Sequence, residues 1–197
     1  MQKPNNYENT QASGEFAPIE LGGHILEIKE VLETQSRSGK PMLKVSFDFA
    51  QNDSQAGYFV ESFRNDIRPD KRWPSAGTTY IMTEDQDGNC SKQFKTFTTS
   101  VEKSNPGFSV IWGDNFGQCF KGKAVGGVFG IVEEKYNGST HKNHKLRWFR
   151  SVDGVKDAAI PEEKLLPTSS NQSSMPEPGS DGFMNIPDGI DEELPFN

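Results

Sequence analysis

Residues 41–50 read PMLKVSFDFA, and in this run Leu43, Val45, Phe47 and Phe49 alternate with Lys44, Ser46 and Asp48. A period of two sends each set to its own face of an extended chain. The run predicts a half-buried strand with Lys44, Ser46 and Asp48 turned to water. The segment before it, HILEIKEVLET, carries a partial period of two at Leu26, Ile28 and Leu32. Between them Ser36–Lys40 (SRSGK) has turn composition, so the two runs predict a hairpin.

The rest of the chain extends this pattern. Gly57–Phe63 (GYFVESF) is a third strand candidate, and Phe63–Tyr80, with four basic residues, two prolines and a tryptophan, reads as a long loop. Phe94, Phe97 and Val101 fall at i, i+3 and i+7, one face of a short helix that Asn105-Pro106-Gly107 should stop. Phe120–Tyr136 predicts a long strand, and its Gly126, Gly127 and Gly130 suggest bulges or curvature. NGSTHKNH reads as a turn, and Lys145–Val152 (KLRWFRSV) as a final strand. Five strands with one helix between the third and fourth match an OB-fold, a five-stranded partly open barrel. The expected class is mainly β: an OB-fold-like barrel with one short helix and a disordered acidic C-terminal tail.

Charge divides the chain. The net charge is −7, which argues against nucleic acid as a partner. Residues 167–197, however, hold six acids and no Lys or Arg, leaving 22 acids against 21 basic residues elsewhere. Between Val60 and Arg150 there are 14 Lys or Arg against 10 Asp or Glu. A mildly basic body thus carries a wholly acidic tail, an asymmetry typical of interaction tails. Apolar residues make up 32% of the chain, too few for all of it to pack. The expected organisation is a flexible arm at 1–18, an OB-like domain at 19–166 and a disordered tail at 167–197. Nothing in the sequence resembles a signal peptide or a membrane span, so a cytoplasmic protein is expected. Two cysteines suit a reducing compartment.

Catalysis finds little support. His24 has no partner nearby in sequence, and there is no nucleophile motif, Walker loop or dinucleotide fingerprint. The Gly126-Gly127 pair does not open a helix, so it does not read as a phosphate cradle. Cys90, Cys119, His141 and His144 have the chemistry of a tetrahedral zinc site. The cysteines are 29 positions apart, without the close pair usual in such sites, and free cysteines with histidines in a turn are the simpler reading. No enzyme, metal or cofactor is expected.

Basic residues interleaved with aromatics give the strongest signal. Phe63, Arg64, Arg68, Lys71, Arg72 and Trp73 form one cluster, and Lys145, Arg147, Trp148, Phe149 and Arg150 another. Single-strand binding uses this mixture: cations follow the phosphates and aromatic faces stack bases, at roughly 1–3 kcal/mol per base. Strict alternation would put Lys145, Arg147 and Phe149 on one face and Leu146, Trp148 and Arg150 on the other. Phosphate contact is assigned to Arg64, Arg68, Lys71, Arg72, Lys92, Lys95, Lys121, Lys123, Arg147 and Arg150. Trp73 leads the stacking residues, followed by Trp148, Tyr58 and Phe63. Phe47, Phe49, Phe94 and Phe97 are expected in the core.

Two resemblances bear on function. The blocks SRSGKPMLKVSFD, GYF, FKGKAVGGVFG and LRWFRSVD resemble a family of small single-stranded-DNA-binding proteins encoded by bacteriophages of Gram-positive hosts, over roughly residues 21–166. The terminal DEELPFN resembles the C-terminal peptide of bacterial single-stranded-DNA-binding proteins, where an acidic run leads to a Pro-Phe tip held by partner proteins. The resemblance assigns Asp191, Glu192 and Glu193 to the acidic run, and Leu194, Pro195 and Phe196 to the tip. Here Asn197 follows, so the terminal carboxylate is offset by one residue from the ring. The implied function is coating of single-stranded DNA in phage replication or recombination, acting in the host cytoplasm. The tail would recruit replication or recombination proteins, and a homo-oligomer is possible. The alternative is a protein–protein adaptor of the replication module that does not touch DNA.

Overall fold

A computed structural model of the chain describes residues 1–5, 7–9 and 17–166. The acidic tail and its tip, Asp191, Glu192, Glu193, Leu194, Pro195 and Phe196, lie outside the described residues. The alternating run is strand β2 (Pro41–Phe49), and HILEIKEVLET lies in β1 (Gly22–Gln35). With β3 (Thr78–Met82), β4 (Ala124–Tyr136) and β5 (Ser139–Arg150) they build one antiparallel sheet in the order β3-β2-β1-β4-β5. The fold is mainly β with a few short helices: α1 (Tyr58–Asn65), α2 (Lys92–Ser104), α3 (Phe116–Cys119) and α4 (Val152–Val155). The sheet is not closed. Its edge strands β3 and β5 do not pair, but both line one cavity with α2.

The core joins the sheet to α2. Leu26, Ile28, Leu43, Val45, Phe47 and Phe49 are buried, as are Phe97 and Val101 of α2. Phe97 packs its ring 5.0 Å from Phe149 of β5 and 5.2 Å from Phe120. Helix α2 therefore plugs the gap between the sheet edges. Ser91 caps its first turn by accepting from the Phe94 amide at 3.1 Å. Asn105 ends it and ties it to β4, donating to Ala124 O at 2.7 Å and accepting from Ala124 N at 3.1 Å.

Several sequence expectations are corrected. Gly57–Phe63 is not a strand, since Tyr58–Phe63 form most of α1, and the third strand is Thr78–Met82, which begins inside the Phe63–Tyr80 segment expected to be loop. Gly57 at φ 73° stops extended structure, and Asp48 reaches across from β2 to cap the helix. Its carboxylate accepts from Phe59 N at 2.8 Å and Val60 N at 3.1 Å. Asp48 is consequently 1% exposed and Ser46 is buried with it, so of the face expected in water only Lys44, half-buried, keeps contact with solvent. Leu32 points outward because β1 carries an extra residue at Lys29, which reverses the alternation and buries Val31 instead. The NGSTHKNH turn shrinks to Asn137-Gly138, both at positive φ, while Ser139–His144 belong to β5. Asn-Gly is the usual two-residue hairpin turn.

The glycines of β1 and β4 admit a covering segment. A Cβ on Gly23 would lie 2.0 Å from Val155 O, and one on Gly126 would lie 2.6 Å from a Val155 methyl. The chain after β5 thus crosses the outer face of the sheet at backbone contact. Lys164 then bridges to β4, accepting from Glu133 N at 2.9 Å and donating to Ile131 O at 3.0 Å.

His24 has a partner that sequence distance concealed. Its Nδ1 lies 3.0 Å from Asp53 Oδ1 and its Nε2 lies 3.1 Å from Glu20 O, with His24 4% exposed. Both neighbours only accept, so the doubly protonated imidazolium satisfies the site. Burial pushes the ring pKa down, but hydrogen bonding and the charge of Asp53, with Glu20, outweigh it and hold His24 above 6.5. Burial likewise pushes Asp53 up, yet hydrogen bonds from His24 and the amides of Gln55 and Ile25 hold it below 3.8. The His24 contribution is complete below about pH 6.5 and disappears as pH rises through its folded value. The Asp53 contribution is complete above about pH 4 and disappears as pH falls through its folded value. Thermal melts should therefore show a loss of stability from pH 6 to 9 that His24→Gln reduces. An identical pH profile in that variant would show that the ring is neutral in the fold.

Candidate nucleic-acid interface

Helix α2 carries two faces. Phe97 and Val101 face the core, while Lys92, Lys95, Thr96, Thr99 and Lys103 recur at helical spacing on the other side. That polar face borders two adjoining cavities. One, of about 610 Å³, lies between α2 and the end of β5, where Lys95, Lys103, Trp148 and Arg150 line it. The other, of about 220 Å³, lies between the edges of β3 and β5 and is lined by Tyr80, Lys92, Arg147 and Trp148 among others. Among the described residues no Asp or Glu lines either cavity. Lys92, Lys95, Lys103 and Arg150 enter no ion pair among the described residues. Their charge is available to an anion.

Trp148 sits where the cavities meet, 38% exposed. A bulge sets its direction. Val128 pairs with Trp148 and Phe129 with Leu146, leaving Arg147 as an extra residue in β5. The alternation expected for KLRWFR therefore fails: Leu146 packs against the core and Phe149 lies within it, while Trp148 turns outward. Arg147 is 5.8 Å from the Trp148 ring and donates to Glu162 O at 2.9 Å, so the covering segment holds the guanidinium beside the indole. Tyr80, 57% exposed, stands on the opposite lip.

Five of the sequence-predicted residues, Lys92, Lys95, Arg147, Trp148 and Arg150, thus come together. The Phe63–Trp73 cluster forms a separate surface. Arg68 places its guanidinium on Asp66, at 2.7 Å from Oδ2, and holds that carboxyl down to about 2. Arg72 lies 3.4 Å from Asp70, and Lys71 donates to Arg64 O at 3.0 Å. Trp73 is a closure of this loop rather than an open platform: its Nε1 donates to Gly77 O at 3.0 Å, and its ring lies 5.8 Å from Phe63. Tyr58 packs against the core, its ring 5.3 Å from Phe59, and burial raises its phenol pKa. Lys121 and Lys123 stand at the start of β4 outside both cavities, with Lys123 4.9 Å from the Phe108 ring.

Sequence reasoning missed Lys103 and Tyr80. Lys103 was legible as the last member of the 92-95-99-103 stripe on a helix already expected. Tyr80 was hidden because its strand was read as loop. Of the weighed zinc ligands, Cys90 is exposed, Cys119 lies in α3, and His141 and His144 lie in β5. His144 is hydrogen-bonded through Nδ1 to Ile19 O. Among the described residues no three His, Cys, Asp or Glu side chains converge as a metal site requires. No helix among them is long and apolar enough to cross a membrane. No family model and no curated protein matches the chain.

Proposed function

We propose that the protein binds single-stranded DNA along the α2–β5 groove and recruits partner proteins through its acidic tail. The observation that carries this reading is the groove itself: among the described residues, two exposed aromatic rings are surrounded by cations that have no carboxylate partner, and no acid is in the lining. Phosphates need the first and bases the second. The five-strand order, the helix between β3 and β4, and edge strands facing a common cavity support reading the body as an OB-fold-like, partly open barrel, a scaffold that suits oligonucleotides. The phage-family and tail resemblances agree with it, and the proposed role is non-catalytic and exercised in a host cytoplasm. In this proposal Trp148 and Tyr80 stack bases, and Lys92, Lys95, Lys103, Arg147 and Arg150 track the backbone.

Titration of tryptophan fluorescence with oligo-dT, at low and high salt, tests it. Quenching that weakens steeply with salt is expected. A chain truncated after Leu166 should bind more tightly, because the acidic tail no longer repels phosphate. Absence of any response at low salt in both chains would remove the DNA reading and leave the adaptor.

A further inference from the structure

A third cavity has the opposite character to the α2–β5 groove and shares none of its lining. It measures about 860 Å³ and has an aromatic floor. Trp112, 68% exposed, stacks on Phe116 at 5.4 Å, and Phe94 meets the indole edge-on at 6.2 Å. Glu33, Glu84 and Asp114 line it, and among the described residues no Lys or Arg does. None of these acids enters an ion pair among the described residues. An exposed tryptophan in an acid-lined cavity suits an apolar side chain flanked by cations, and it repels nucleic acid.

The chain itself carries such an element. Ile67, 96% exposed, has the highest exposure of the large apolar residues described between 17 and 166, and Arg64, Arg68, Lys71 and Arg72 surround it in sequence. The loop that presents it is already fixed. The Arg68–Asp66 fork, the Lys71–Arg64 O bond and the Trp73–Gly77 O bond close it on itself. A preformed knob loses little entropy on docking. Knob and groove have complementary charge and complementary apolar centres. They also lie on separate elements, so the same contact can repeat from copy to copy.

We propose that the Trp112 groove of one copy receives the Ile67 loop of a second copy of this chain. Ile67 packs on the Trp112–Phe116 floor, and Arg64 and Lys71, the loop cations that enter no ion pair among the described residues, meet Glu33, Glu84 and Asp114. The contact does not depend on DNA, so its test stands apart from the DNA reading.

Sedimentation velocity of the full chain without DNA, over roughly 10–500 µM, reads the contact directly. The wild-type sedimentation coefficient should rise with concentration, and less so in high salt. Trp112→Ala and Ile67→Asp each alter an exposed side chain and should each remain monomeric throughout. An equimolar mixture of the two restores one intact knob and one intact groove, so a heavier species should reappear. A wild-type chain that stays monomeric at the highest concentration overturns the proposal. So does association of either variant at the wild-type level, or a mixture that stays monomeric.

Discussion

Reversing Lys95 and Arg150 together to glutamate should weaken binding of oligo-dT at least about 100-fold at low salt. Hydrogen bonds to charged groups contribute about 1.5–3 kcal/mol each, and the reversal adds repulsion to their loss. The two residues line the same cavity from different elements, α2 and the end of β5. Salt dependence separates their role from that of the aromatics. Two fewer phosphate contacts should flatten the slope of log affinity against log salt by roughly 1.4, at about 0.7 per contact for single strands. Trp148→Ala should instead weaken binding by about 5- to 150-fold, the equivalent of 1–3 kcal/mol, and leave the slope unchanged. Lys121→Glu with Lys123→Glu provides the control, because both lie outside the cavities. Equal losses from the two charge reversals would mean that overall charge attracts DNA and that the groove does not.

The groove was half legible in the sequence, for definite reasons. Lys92, Lys95, Arg147, Trp148 and Arg150 stood out because cations adjoined aromatics or helix positions in the linear chain. What could not be read was which face each would occupy. In β5 the extra residue at Arg147 decides this, and a bulge leaves no mark in composition. The same limit misplaced Leu32, beyond the extra residue at Lys29 in β1. Trp73 shows the converse error. Its basic, proline-flanked setting suggested an open ring, but the carbonyl that engages it belongs to Gly77, four residues later. Long-range pairs were invisible for a simpler reason: His24 and Asp53 are 29 residues apart. The core was far more legible, because Phe47, Phe49 and Phe97 follow periods that no bulge interrupts.

Asp48→Ala should destabilise the fold by about 2–4 kcal/mol, lowering the thermal midpoint by roughly 5–15 °C. In sequence Asp48 is a polar member of an alternating strand, and the alternation assigns it to water. In the fold it is the missing cap of a helix whose own N-cap position, Gly57, has no side chain to offer. Its two carboxylate oxygens hold the amides of Phe59 and Val60, and Oδ1 also accepts from Phe49 N at 2.9 Å. Helix amides in the first turn have no intrahelical acceptor, so alanine would leave them buried and unpaired. The helix would then lose what distinguishes it from the strand that GYFVESF suggests on its own. Asp48→Asn is not a silent substitution, because one end of its amide is a donor facing a donor. It should fall between wild type and alanine. Hydrogen exchange locates the effect: the Phe59 and Val60 amides should lose protection first, ahead of those in β4. A midpoint within 1 °C of wild type in Asp48→Ala would show that α1 is held by the packing of Phe59 alone.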